Sequence, residues 1–350
     1  MPETAALNGQ APLRVAVVGA GAFGRNHLRV YRELQAAGAA VELVAVVDAD
    51  AGVAAGAGAT FRVPWFTSLV DCLADVELDA ASVCVPTVHH AAAAELLLTA
   101  GVDVLVEKPI AGSLADADRI RAVAKQHGRI VQVGHLERFN PAVTAARPLL
   151  NRPMFFESHR LSVFTPRSLD VDVVLDLMIH DLDIVLSLVP SEVREVRAVG
   201  LPVLSKKVDI ANVRVEFENG CIANFTASRV STERVRKLRF FQPHQYLSLD
   251  FARQDLLMID VTAAAGLDMA QLAALAQMAA AAGGHPSAGL SLKKVPVEAG
   301  EPLRLEIEAF LTAVRERTVP VVSGADGRKA LALALEIHAA MAAHALRAGL

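Results

Sequence analysis

The run Arg14-Val-Ala-Val-Val18, followed at once by Gly19-Ala-Gly21-Ala-Phe-Gly24, constrains this chain more than any other segment. The apolar run reads as a buried strand, and residues 23–35 continue as a helix. Three glycines at such a junction each have a use: Gly19 permits the tight turn, Gly21 lets a pyrophosphate approach the backbone, and Gly24 allows the helix to pack closely on the strand. Ala22 and Phe23 lie inside the same turn. The helix start offers free N–H groups and partial positive charge to phosphates. A glycine-rich turn with no ligand would carry the same letters, so it is the strand–turn–helix context that favours a dinucleotide.

Asp48 ends the next apolar run, Val41–Val47, at the distance from the glycines where a ribose-binding acid is expected. Its carboxylate would accept hydrogen bonds from both ribose hydroxyls and repel a 2′-phosphate. No Arg or Lys follows in Asp48-Ala49-Asp50 to host that phosphate, so NAD is expected over NADP. A turn or cap is the competing role for Asp48.

Further apolar runs at 61–66, 81–85, 102–106 and 130–133 alternate with helical segments at 91–100 and 114–127. Strands that are apolar on both faces and separated by helices imply a doubly wound parallel sheet covered on both sides. From Gly134–Pro141 onward the pattern changes. One strongly apolar helix, 173–188, precedes alternating strands at 193–199, 211–218, 222–228, 235–241 and 246–251, with Asn219-Gly220 as a hairpin turn. The expected fold class is α/β: an N-terminal Rossmann domain over residues 1–135, then an α+β domain over 136–350 with a large open, mainly antiparallel sheet. Helices near 302–316 and 327–347 close the chain. Residues 263–289 are Ala/Gly-rich and fit either a mobile connection or an ordinary helix.

A chain of 350 residues is long enough for two domains with their own cores. Its formal charge of −4 and lack of a basic block argue against nucleic acid or an anionic membrane as the main partner. Cys72, Cys84 and Cys221 are dispersed and form no C-x-x-C pair, as expected for core residues in a reducing compartment. The N-terminus lacks the layout of a signal peptide, and the longest stretch free of charged residues and histidine, 269–284, is too short to span a bilayer. The expectation is a cytoplasmic globular protein.

Glu107-Lys108-Pro109 ends a buried run, and open parallel sheets bind ligands outside the carboxyl ends of their strands. Lys108 is therefore a candidate catalytic residue, with a surface lysine as the plain alternative. Pro109 restricts the backbone that aims it. In the apolar helix, Asp176 and His180 are spaced i,i+4 and share a face that Asp172 and Asp183 extend. A histidine flanked by carboxylates suits a general base, and a core histidine satisfied by Asp176 is the alternative. No ligand set with zinc-like spacing accompanies it, so no metal is expected. Pro86-Thr87-Val88-His89-His90 leaves the fourth strand at the same sheet edge, where it could touch the nicotinamide ribose. Arg160, Arg167, Arg229, Arg234, Arg236 and Arg239 concentrate in the second domain. A solvated sheet face accounts for most of them, and one or two could clamp a phosphate.

With Gly19–Gly24, Glu107-Lys108-Pro109 and Asp176-x-x-x-His180 in this order, nearly the whole chain resembles the glucose–fructose oxidoreductase / inositol dehydrogenase / rhizopine catabolism (Gfo/Idh/MocA) family. The resemblance implies that Lys108 and His180 are the catalytic pair supported by Asp176. It also implies that Pro86, Thr87, His90 and Glu107 contact the cofactor with Lys108, and that the C-terminal sheet forms a homo-oligomer. Within the family, Gly134–Pro141 and Asp172–Asp181 are most similar to members that oxidise the 3-hydroxyl of a UDP-N-acetylamino sugar for a 3-amino lipid A precursor. That similarity makes Arg138 and Asn140, with Arg167 and Arg229, candidate substrate contacts. The same frame also supports an NAD-dependent glycosidase acting through transient 3-oxidation, and a non-catalytic cofactor sensor. The second has no need to keep Lys108, Asp176 and His180 together.

Overall fold

The computed structural model describes residues 11–164, 171–261, 266–281 and 291–349. The chain divides into two compact units, residues 1–136 with 301–332, and residues 137–300 with 333–350. A single boundary after residue 135 therefore misses a return: the segment that follows the second sheet goes back to the first unit.

The first unit is built on six parallel strands: β1 (Leu13–Val18), β2 (Val41–Val47), β3 (Trp65–Phe66), β4 (Ala80–Val83), β5 (Asp103–Glu107) and β6 (Val131–Gly134). Their order is β3-β2-β1-β4-β5-β6, so the winding reverses between β1 and β4. Helices α1 (Ala22–Ala36), α2 (Ala51–Phe61), α3 (Leu69–Asp75), α4 (His90–Thr99) and α5 (Leu114–His127) make the crossovers. The strand expected over 61–66 is only Trp65–Phe66, because residues 51–61 form α2, capped by the Asp50 carboxylate on the N–H groups of Gly52 and Val53.

Helix α9 (Pro302–Glu316) belongs to this unit because its apolar stripe, Ile307, Phe310, Leu311 and Val314, joins Val15, Val17, Leu28, Tyr31, Leu43 and Leu105 in one buried core. Each such side chain contributes about 1.5–3 kcal/mol on burial. A Cβ at Gly327 would lie 2.6 Å from Val133, and Arg328 grips Asp118 by two hydrogen bonds (2.6 and 2.8 Å), which fixes the start of α10 (Gly324–Ala348) on β6 and α5. Among the described residues, α10 is long and apolar enough to cross a bilayer by length and composition. One third of the window that qualifies is buried in the fold.

The second unit carries an eight-stranded sheet, in the order β14-β13-β12-β11-β7-β10-β9-β8. The strands are β7 (Phe155–Leu161), β8 (Val193–Leu201), β9 (Ile210–Phe217), β10 (Ile222–Ser228), β11 (Val235–Gln242), β12 (Gln245–Asp250), β13 (Asp255–Asp260) and β14 (Ser291–Val295). All pairs are antiparallel except β7 with β10. The inward face is mostly apolar along β9 to β11, with Val213, Phe217, Phe225, Leu238 and Phe240 buried, and is interrupted by Ser158 and Arg160 on β7. Helix α6 (Pro141–Ala146) lies on β12 and β13. The apolar helix expected over 173–188 is two pieces, a π turn Val174–Met178 lying on β10 and α7 (Ile179–Leu188). Part of the Ala-rich stretch at 263–289 is helical, as α8 (Met269–Ala281).

Candidate active site

In the first unit, a cavity of about 860 Å³ opens at the carboxyl ends of β1, β2 and β4, where the winding reverses. Gly19, Gly21, Ala22, Phe23 and Asp48 line it, with Thr67, Leu69, Val85, Pro86 and His89. The glycines are used in three different ways. Gly19 has φ +95°, and a Cβ there would lie 2.6 Å from the Cys84 backbone. A Cβ on Gly24 would sit 1.8 Å from the Gly19 carbonyl oxygen, so this glycine is required by the fold. A Cβ on Gly21 would meet no protein atom within 4 Å. Nothing in the chain demands a glycine at 21, and the space it clears belongs to whatever occupies the cavity. Because Gly21 lines the cavity, its backbone is open to close approach by a phosphate group, and the residues present fit a dinucleotide.

Asp48 sits where β2 opens into this cavity. Its carboxylate accepts from the Ala20 N–H (2.7 Å) and the Asp50 N–H (3.0 Å), which ties the strand end to the glycine turn and holds the acid in place. His89 and Thr67 also border the cavity; the sequence placed the segment of His89 at this edge but took His90 as its contact, and Thr67 it did not single out. Thr67 lies beyond a two-residue strand, too short to show a period.

The corner that carries Lys108 is braced from inside. Glu107 is buried, bonds His27 Nε2 at 3.0 Å and accepts from the Lys108 N–H at 3.3 Å. Gly134 is needed opposite it, since a Cβ there would lie 2.7 Å from the Glu107 carboxylate. The Lys108–Pro109 peptide bond is cis. Glu107 is thus a buried support for the turn and does not line the cavity. Cys84 lies near the same pair, with its ligand atom and those of His27 and Glu107 within 4.8 Å of one another. Burial, and then the charges of Glu107 and Glu306, push the Cys84 thiol well above its ordinary range, so it holds its proton.

His90, expected on the cofactor, is 1 % exposed and absent from the cavity lining. Both ring nitrogens face backbone carbonyls, Nδ1 that of Pro109 and Nε2 that of Val85, each at 2.9 Å. The histidine that borders the cavity is its neighbour, His89. Thr87 is half-buried in the short turn before α4 and does not line the cavity either.

In the second unit, Asp176 lies inside the π turn and His180 follows it on the first turn of α7, both half-buried. π turns of this kind recur at functional sites. The neighbouring acids on α7 are held from below. Asp181 receives two hydrogen bonds from Arg160 (2.9 and 2.8 Å), and Asp183 receives two from Arg138 (2.8 and 2.6 Å). Arg160 also reaches Glu137 at 2.9 Å and stacks over Phe251, 5.3 Å from the ring centroid. Asp172 accepts from the N–H groups of Val174 and Leu175 and bonds His338 at 2.9 Å. Burial would raise its pKa, but the bond and charge of His338 and the two backbone donors outweigh it and hold Asp172 below the usual carboxylate range.

These partners correct several expectations. Arg138, expected on substrate, is buried and ion-paired with Asp183, and Arg160, expected on a solvated face or a phosphate clamp, is buried and ion-paired with Asp181 and Glu137. Arg229 is also buried; its guanidinium reaches Asp209 and the carbonyls of Val171 and Val208. Asn140 caps α6 through the Ala142 N–H and donates to Glu137 and the Phe251 carbonyl. In each case the polar atoms expected on substrate have partners inside the unit. Arg234 and Arg236 are exposed, as a solvated face requires. Arg167 lies outside the described residues.

A six-stranded doubly wound sheet with a glycine turn, an acid just beyond β2 and a lysine just beyond β5 has the layout of a dinucleotide-binding domain. Residues 13–135 match the family model described as "Oxidoreductase family, NAD-binding Rossmann fold", and residues 150–242 match the "GFO/IDH/MocA C-terminal domain". The chain belongs to the Gfo/Idh/MocA family, and its first unit is the NAD-binding domain. It is 35% identical over 332 residues to UDP-N-acetylglucosamine 3-dehydrogenase of Acidithiobacillus ferrooxidans, covering 95% of this chain and 98% of that one. A solved structure of that enzyme superposes with a TM-score of 0.83 at 33% identity, covering 95% of this chain and 99% of the other. Inositol 2-dehydrogenase 1 of Saccharopolyspora erythraea is 34% identical over 196 residues, 52% of this chain and 56% of that one. Levoglucosan dehydrogenase, solved with NADH and L-sorbose, shares the fold at a TM-score of 0.80 and 17% identity, covering 95% of this chain and 97% of that one.

Proposed function

We propose that this chain is an NAD-dependent dehydrogenase that oxidises a ring hydroxyl of a nucleotide sugar, UDP-N-acetylglucosamine at C3, to the 3-keto sugar. The observation that carries this reading is the similarity to the Acidithiobacillus ferrooxidans enzyme, which runs through both units and not through the NAD-binding domain alone. The keto product would be ready for amination, the chemistry that a 3-amino lipid A precursor requires.

Bound NAD+ supplies the hydride acceptor, held by the Gly19–Gly24 turn, Asp48 and the segment around Pro86. His180 takes the proton from the sugar hydroxyl. Lys108 donates a hydrogen bond to the oxygen as negative charge develops on it. Asp176 favours the imidazolium form of His180 once the proton has moved. One C–H bond and one O–H bond break, a C=O bond forms, and the proton ends on His180. Arg167 is proposed as a diphosphate contact from the sequence similarity alone, a guanidinium being suited to bidentate phosphate binding.

We also place a homo-oligomer contact on the outward face of the second sheet. Ile222, Phe155, Phe241 and Tyr246 stand side by side there across β10, β7, β11 and β12, and Phe241 is 38 % exposed. Light scattering after size exclusion tests this: a monomer at micromolar concentration removes the assignment.

The enzymatic test is a panel of UDP-N-acetylglucosamine, other UDP-sugars, free polyols and a nitrophenyl glycoside, each with NAD+ and an aminotransferase as product trap. NADH absorbance, with a product two hydrogens lighter in the absence of the trap and its amino derivative in its presence, fastest with UDP-N-acetylglucosamine, is the expected result. Glycoside cleavage without net NADH would replace the dehydrogenase with a glycosidase, and no turnover with any UDP-sugar would remove the substrate class.

A further inference from the structure

His90 is the first residue of α4 and is nearly inaccessible to solvent. Its ring spans two backbone carbonyls from different parts of the first unit. One belongs to Val85, in the loop after β4 that lines the cofactor cavity. The other belongs to Pro109, in the turn that immediately follows Lys108. The two segments leave neighbouring strands, and the β4–β5 pairing that holds them ends at Val83 and Val106. Beyond that last pair a buried ring bridges them, with each nitrogen 2.9 Å from one of the two carbonyl oxygens. The turn is fixed on its other flank by the Glu107 carboxylate, itself bonded to His27 and to the Lys108 N–H.

We infer that His90 is a positioning residue, which sets the backbone of the Lys108 turn against the cofactor-lining loop through the Pro109 and Val85 carbonyls. The inference rests on the reading that Lys108 takes part in the reaction. A neutral imidazole carries one N–H, so it donates to one carbonyl at a time. Asparagine places its amide nitrogen near the position of Nδ1, and glutamine near that of Nε2. H90N therefore retains the link to Pro109, and H90Q the link to Val85.

The test measures kcat with NAD+ and UDP-N-acetylglucosamine, and the dissociation constant of NAD+ by titration calorimetry, in H90A, H90N, H90Q, K108A and H90A/K108A. Misaligned catalytic groups cost roughly 10- to 100-fold in rate. H90A is expected to lose kcat in that range while its NAD+ dissociation constant stays within about 3-fold of wild type. H90N restores most of the loss and H90Q less. In the K108A background, H90A lowers kcat no further, because a residue that acts through Lys108 has nothing left to position. Wild-type kcat in H90A, failure of H90N to exceed H90Q, or an undiminished further loss in H90A/K108A overturns the inference. Wild-type turnover in K108A alone removes instead the role of Lys108, and this inference with it. Because H90N and H90Q retain a polar group at the buried position, the comparison between them remains decisive if H90A fails to fold.

Discussion

Arg160, on the central strand of the second sheet, holds Asp181 with two parallel hydrogen bonds of 2.9 and 2.8 Å, and Asp181 is the residue after His180. Both side chains are nearly excluded from solvent. Removing one partner of such a pair strands a buried charge, which costs about 3–5 kcal/mol. R160M should lower the unfolding free energy by about that amount. A denaturant titration showing less than about 1 kcal/mol of loss would mean the pair is easily replaced.

His180→Ala, with NAD+ affinity intact, should reduce turnover by at least ~10²-fold, the range of a proton-transfer role. Steady-state kinetics with the sugar nucleotide, alongside calorimetric titration of NAD+, separates the two effects. Normal turnover in this variant would assign the base elsewhere.

Gly21 and Gly24, three residues apart in one turn, make a paired prediction. Gly21→Ala places its methyl in open space and should fold with an unchanged Tm while losing NAD+ affinity. Gly24→Ala drives a Cβ against the Gly19 carbonyl and should destabilise the domain before binding is considered. Thermal melts with and without NAD+ read both.

Asp48→Ala should relax the preference for NAD+ over NADP+ by about 10-fold or more, since a charge-assisted hydrogen bond and a repulsion of the 2′-phosphate are lost together. Tighter binding of NADP+ than NAD+ by the wild-type protein contradicts the assignment at its root.

Asp209 gives a signed pH effect. Burial would raise its pKa, but the N–H groups of Val203, Leu204 and Ser205 and the Ser205 hydroxyl outweigh burial and hold the carboxyl well below its ordinary range. A carboxylate with a depressed folded-state pKa contributes stability that is present above the unfolded value, near 3.8, and lost as the pH falls toward the folded one. D209N should therefore be less stable than wild type at pH 5–7, with the gap closing below about pH 4. A gap that is constant across that range would show that the charge is not what matters.

The elements legible in the sequence were those whose signal is local. β1, β2 and β10, the helices from 114 and 302, and the glycine turn all declare themselves through period, caps or special backbone, and Lys108 through its place at a strand end. β7 was not legible although it is a central strand, because two of its inward positions are Ser158 and Arg160, and buried polar residues erase the alternation that marks a strand. β13 and β14, separated by a long insertion, gave no hairpin signal.

The sequence by itself determined that an apolar strand, a glycine turn and a helix follow one another as a dinucleotide site requires, since period and glycine spacing are local signals. Tertiary structure alone decided which polar residues serve chemistry and which serve the fold. His89 and His90 are adjacent in the chain, yet one borders the cavity and the other is closed between two carbonyls. Arg138, Arg229 and Asn140 have the chemistry of ligand-binding residues, but polar groups buried by folding take the nearest partners, and Asp183, Asp209 and the Phe251 carbonyl come from segments distant in the chain.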